Sequence, residues 1–198
     1  MWRLMVVIFI LFAAAAPARA DFEQGLKYFK SHDYPLAMQE WLPLAEQGHG
    51  EAQYRVGWLY YYGKRDSFYG NGIKKDYKEA FKWFSEAAAQ KHLNAGYMVA
   101  KAYDTGNGVP KNHKAALRWF GDLAALGDVE SMFQVGSAYD LGIGVRENRV
   151  VALIWLTLAA DRGHKQALAY LRGMNAGNDP MDALLVEALL STAKTPIK

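Results

Sequence analysis

A repeat limits what this chain can fold into more than any other feature. Ala80, Ala116 and Ala152 are spaced 36 residues apart, and Ala37 precedes Ala80 by 43, seven more than the period. Four residues before these anchors sit Asp33, Asp76, Asn112 and Asn148. Three after the last three anchors are Trp83, Trp119 and Trp155, and four after all of them are Trp41, Phe84, Phe120 and Leu156. Further on come Gly48, Gly127 and Gly163, with Lys91 as the exception, at plus eleven. Gly57, Ala100 and Gly136 follow at plus twenty, Tyr60, Tyr103 and Tyr139 at plus twenty-three, and Gly63, Gly106 and Gly142 at plus twenty-six. A period of this length means stacked copies of one supersecondary unit.

The unit reads as a helix–turn–helix. Asp or Asn at minus four is a strong N-cap, because its side chain accepts from the free N–H groups of the first turn. Apolar residues at zero, plus three or four, and plus seven or eight form one helical face. Glycine at plus eleven supplies a left-handed stop. A second helix runs from about plus thirteen to plus twenty-four, and small residues at plus twenty are expected to let the unit's two helices approach closely. Neither helix buries its stripe alone, so units must stack. The predicted fold is all-α: an α-solenoid of helix–turn–helix repeats coiling into a right-handed superhelix.

Four repeats are assigned, to 33–75, 76–111, 112–147 and 148–175. The fourth lacks the pattern's last residues, having Arg172 and Asn175 there, as suits the end of an array. Residues 21–32 resemble a lone second helix, with Gly25 and Tyr28 at the positions of Gly57 and Tyr60, and are expected to cap the stack. Residues 176–198 are expected to supply a C-terminal capping helix and tail, with Pro180 favourable in its first turn. Residues 1–20 read as a secretory signal peptide: Arg3, an apolar run from Leu4 to Ala16, then Ala18-Arg19-Ala20 before Asp21. That run is shorter than the roughly 20 residues a membrane span needs. Cleavage would leave no span and place the mature chain in the periplasm, or outside the cell.

Charge matters once that segment is set aside. Removing Arg3 and Arg19 takes Lys+Arg from 23 to 21 against 20 Asp+Glu, so the mature net charge is +1. Nothing in that balance points to nucleic acid. The absence of cysteine excludes disulfides, thiol catalysis and thiolate metal sites.

The candidates for chemistry are few. His49, His92 and His164 share plus twelve, with Asp128 there in the third repeat. Equivalent positions of stacked units lie a repeat apart, so they read as polar turn residues and not as converging ligands. His32 and His113, near first-helix starts, read the same way. No nucleophile–base pair, zinc-protease motif or phosphate loop stands out, and neither a catalytic residue, a metal nor a cofactor is expected. The tryptophan stripe reads as core by its periodicity. Lys78 and Lys82 match Lys114 and Arg118 at minus two and plus two, a candidate basic strip across two first helices that stops at Ile154 and is replaced by Pro35 and Gln39 in the first repeat. The seven extra residues lengthen the turn after Gly63 and carry Lys64, Arg65, Phe68 and Tyr69. Loops on rigid scaffolds often carry recognition, so these four are candidate partner contacts.

The repeat resembles the Sel1-like repeat family, relatives of the tetratricopeptide repeats. Ala80-Phe81-Lys82-Trp83-Phe84-Ser85-Glu86-Ala87-Ala88 and Val135-Gly136-Ser137-Ala138-Tyr139-Asp140-Leu141-Gly142-Ile143-Gly144-Val145 carry the resemblance, which covers about residues 33–172. It implies a non-catalytic scaffold or adaptor that binds a protein or peptide partner in the bacterial cell envelope, through the concave face or the inserted loop. Other readings are a cell-wall-related enzyme, a β-lactam-binding protein or a glycan-binding module. Family members linked to β-lactam or peptidoglycan binding have cysteine-rich repeats, which this chain lacks.

Overall fold

The computed structural model describes residues 20–63 and 72–175, and among them the chain forms nine α-helices and no strand. A short α1 (Phe22–Lys30) precedes four antiparallel pairs: α2 (Tyr34–Glu46) with α3 (Gly50–Tyr62), α4 (Tyr77–Ala89) with α5 (Leu93–Thr105), α6 (His113–Ala125) with α7 (Val129–Leu141), and α8 (Arg149–Asp161) with α9 (Lys165–Asn175). Each helix packs chiefly on its neighbours in sequence, so the molecule is a helical solenoid.

The first helix of each pair begins where the sequence predicts. Asp33, Asp76, Asn112 and Asn148 each accept a hydrogen bond from a first-turn N–H. The turn between paired helices takes only three residues because one residue serves both. The backbone N–H of His49, His92, Asp128 and His164 donates five residues back to Leu44, Ala87, Leu123 and Ala159, closing the first helix. The side chain of the same residue opens the second by accepting from Ala52, Ala95, Ser131 and Ala167. The residue before it sits at positive φ: Gly48, Gly127 and Gly163 near 90°, and Lys91 at 64°.

The small residues at plus twenty act between repeats, where the sequence places them within one. A Cβ on Gly57 of α3 would lie 2.8 Å from the Phe84 ring of α4, and one on Gly136 of α7 would lie 2.7 Å from Leu156 of α8. Gly25 of α1 faces Trp41 of α2 in the same way. The large residue at plus four thus seats in the gap of the preceding repeat, and α3–α4 and α7–α8 make the most extensive contacts among the described helices. Ring shape and gap fix the stacking register more tightly than apolar area alone.

Backbone bonds repeat the same register. The cap residues Asp33, Asp76, Asn112 and Asn148 donate their N–H to the carbonyls of Tyr28, Tyr60, Tyr103 and Tyr139, all within 2.8–2.9 Å. The pair Asp76–Tyr60 keeps this bond although its linker is seven residues longer. A Cβ on Gly63 would meet Lys75, as one on Gly106 would meet Lys111. The described residues on either side of the insertion therefore keep the register of the regular turn.

Tryptophans at plus three lie in or beside the core. Trp83 is buried with the residues of α2 and α3. Trp119 and Trp155 are only half-buried. Trp119 packs against the clusters on both sides of it, so its position joins two repeats and still leaves an edge in solvent.

Candidate functional site

The histidines are structural. His92 Nδ1 accepts from Ala95 N–H, so the proton sits on Nε2, which pairs with Glu51 of the preceding repeat at 2.8 Å. His164 does the same with Ala167 and with Glu130 at 3.0 Å. Tyr54 stacks on His92 and Phe133 on His164, each with centroids 4.7 Å apart. Burial alone would raise the Glu51 carboxyl, but the hydrogen bond from His92 and the charge of Arg55 outweigh it and lower its pKa. Glu130 is lowered likewise, against burial, by hydrogen bonds from His164, Gln134 and Tyr97. Tyr97 in turn is pushed up to about 12, by burial first and then by Glu130 and Asp128, and stays a neutral donor. Among the described residues no three His, Asp or Glu groups converge as a metal-ligand set.

A second polar group lies at His113, whose Nδ1 is 2.8 Å from Asp104 Oδ1. Both line a hollow of about 90 Å³ with Gln134 and Ser137. The buried Ser137 hydroxyl has no hydrogen-bond partner among the described residues. The repeat leaves this space because Trp58 and Lys101, at the same position in the first two repeats, are replaced by serine.

The four residues of the candidate basic strip lie at the surface. Lys78 and Lys82 on α4, and Lys114 and Arg118 on α6, are all exposed. None of the four has an ion-pair partner among the described residues. Lys82 lies over the Trp83 ring with Nζ 4.9 Å from the centroid, which holds its stem along the helix. Lys114 and Arg118 border a hollow of about 300 Å³ with Tyr103, Asn112, Ala115 and Trp119. The aromatic walls were hidden in the sequence because Tyr103 and Trp119 belong to the repeat pattern and read as core. The other four candidates, Lys64, Arg65, Phe68 and Tyr69, lie outside the described residues. So do residues 1–19 and the C-terminal segment 176–198.

Paired helices, stacked by recurring caps and gaps, define an α-solenoid repeat protein with exposed cations on two of its first helices. A family model for the Sel1 repeat matches residues 50–92, 94–128 and 129–164, and the chain belongs to the Sel1 repeat family. Those windows begin on the second helix of each pair, so the family frame is displaced by one helix from the one used above. A Sel1 repeat protein from Oxalobacter formigenes is similar at 27% identity and TM-score 0.64, over 74% of this chain and 58% of that one. The protein c5321, a protective antigen present in uropathogenic Escherichia coli strains displaying an SLR fold, is similar at 28% identity and TM-score 0.69. That match covers 87% of this chain and 37% of the antigen, so this chain spans less than two thirds of either relative. Helicobacter pylori cysteine rich protein B shares the fold at 19% identity and TM-score 0.50, over 70% of this chain and 94% of that one. No curated protein matches the chain. Sel1 repeats generally mediate protein binding, and no helix among the described residues is long and apolar enough to cross a membrane.

Proposed function

We propose that this chain is an exported, non-catalytic scaffold that binds a protein or peptide partner in the bacterial cell envelope, most directly in the periplasm. The observation that carries the reading is the exposed set Lys78, Lys82, Lys114 and Arg118 on the first helices of two successive repeats, without ion-pair partners among the described residues, the last two beside a hollow with aromatic walls. Surface cations without partners contribute little to folding, and an aromatic rim next to them suits an interface anchor. Export is supported by the leader pattern of residues 1–20.

Two experiments test it. A photo-crosslinking residue at Arg118 in the mature chain should trap a discrete adduct from envelope extract, and Lys78→Glu with Lys82→Glu should abolish it. Adducts of equal yield in both proteins would remove the basic strip from the account, and none above control would remove the scaffold role. Residues 1–20 fused to a reporter active only after export should give periplasmic activity. A reporter left in the cytoplasm would overturn export.

A further inference from the structure

The basic strip continues into a different surface one repeat further on. The positions of Lys78 and Lys82, and of Lys114 and Arg118, are occupied in the fourth repeat by Val150 and Ile154 on α8. These two apolar side chains are 55% and 40% exposed. They are not merely the open end of the stack. The same two positions in the second and third repeats stay exposed with neighbours packed on both sides, so a further helix stacked on α9 would not cover them. Along one line of equivalent positions the surface reads cation, cation, then β-branched apolar.

The hollow between the cations has the matching chemistry. Asn112 Oδ1 is already taken by the N–H of Ala115, at 3.0 Å, so the side chain offers only its NH₂ outward. Lys114 and Arg118 offer donors alone. No carboxylate lines the hollow, and Glu86 on α4 accepts from Gln53 at 3.1 Å. A site of donors between two aromatic rings, with no acid of its own, selects an anionic ligand. We infer that the occupant is an acidic polypeptide segment with apolar residues at one end: its carboxylates lie on Lys78, Lys82, Lys114 and Arg118, and its apolar end covers Val150 and Ile154. A bilayer fits worse, because a membrane-surface helix carries its cations and its apolar face on the same helix, and here the two are on different helices along the stack. Nucleic acid fits worse too, since the apolar third would face phosphate.

This rests on the scaffold reading above and narrows it to a partner class. The test uses the mature chain and a labelled synthetic peptide of glutamate and glycine that ends in a leucine pair, with binding followed by fluorescence anisotropy. Binding is expected to weaken with added salt. Lys114→Glu with Arg118→Glu should weaken it at least about tenfold, the equivalent of two lost charge pairs reversed in sign. Val150→Thr with Ile154→Thr keeps branching and exposure and should weaken it about fourfold, the effect of roughly one buried methylene. A peptide with the leucines placed between the glutamates should bind less well. Circular dichroism and thermal melting confirm that each variant is folded, and Lys114→Gln with Arg118→Gln should give an intermediate loss. Equal affinity for a peptide without leucines, or for the threonine variant, would overturn the apolar half. Binding to phosphatidylglycerol vesicles but not to the peptide would overturn the partner class. If the peptide fails while the Arg118 crosslink still traps an envelope protein, the acidic partner is wrong and the scaffold stands. If both fail, both fall.

Discussion

At the scale of single residues, the decisive contacts are between a missing side chain and a large one. Gly57 leaves room for Phe84 and Gly136 for Leu156, both buried partners. Alanine is the better helix former by about 1 kcal/mol, but its Cβ would press on an immobile ring or branch, and overpacking costs about 1–3 kcal/mol. Gly57→Ala and Gly136→Ala should therefore lower the melting temperature. Gly121, in the middle of α6, has nothing within 4 Å of its would-be Cβ. Gly121→Ala should raise stability by about 1 kcal/mol, or about 2–4 °C in a chain of this size. Melting curves of the three variants check this, and a stabilised Gly57→Ala would show that the gap is not what sets the register. The sequence reveals that plus twenty must be small. It does not reveal which helix takes up the room, because a periodic pattern gives each position modulo the repeat and leaves open which copy it touches.

At the scale of elements, the three-residue turn explains why His recurs at plus twelve. The aspartate and asparagine caps of the first helices were legible, since those side chains are the usual cap acceptors. Histidine is not a usual one, and its second contact reaches a glutamate 41 residues earlier in one case and 34 in the other. No local pattern exposes that pairing. His92→Ala should destabilise by about 1 kcal/mol through the lost cap. His92→Asn should restore the cap without the bond to Glu51, so the difference between the two variants in urea unfolding isolates the clamp. The carboxyls add a pH dependence. Glu51 and Glu130 have folded pKa values held below the ordinary 4.5. The stability they contribute is present above that range and lost as pH falls through their lowered values. The urea midpoint should drop on acidification below about 4.5, and less steeply in a Glu51→Gln, Glu130→Gln double variant. Parallel profiles would mean that the clamps carry no differential protonation.

At the scale of the whole molecule, the stack keeps one register across an irregular linker. Gly63 meets Lys75 as Gly106 meets Lys111, and Asp76 donates to Tyr60 as Asn112 donates to Tyr103. The period, the caps and the helix pairs were all readable in the sequence, because each recurs often enough to stand out from chance. The candidate surface was readable only in part. Its cations show as matched i, i+4 pairs, while Tyr103 and Trp119 are disguised by the repeat they belong to. The regular register of the residues flanking the insertion gives a direct prediction. Closing a turn of twelve residues costs only slightly more than closing one of five, under about 1 kcal/mol by the logarithmic dependence on loop length. Deleting residues 64–70 should therefore leave helical content unchanged and raise the melting temperature slightly. Deletion also separates the two candidate surfaces. If the acidic peptide binds the shortened chain with unchanged affinity, recognition lies on the first helices from α4 to α8, and Lys64, Arg65, Phe68 and Tyr69 take no part. A large loss of affinity with an intact melting curve would move the partner contact to the insertion.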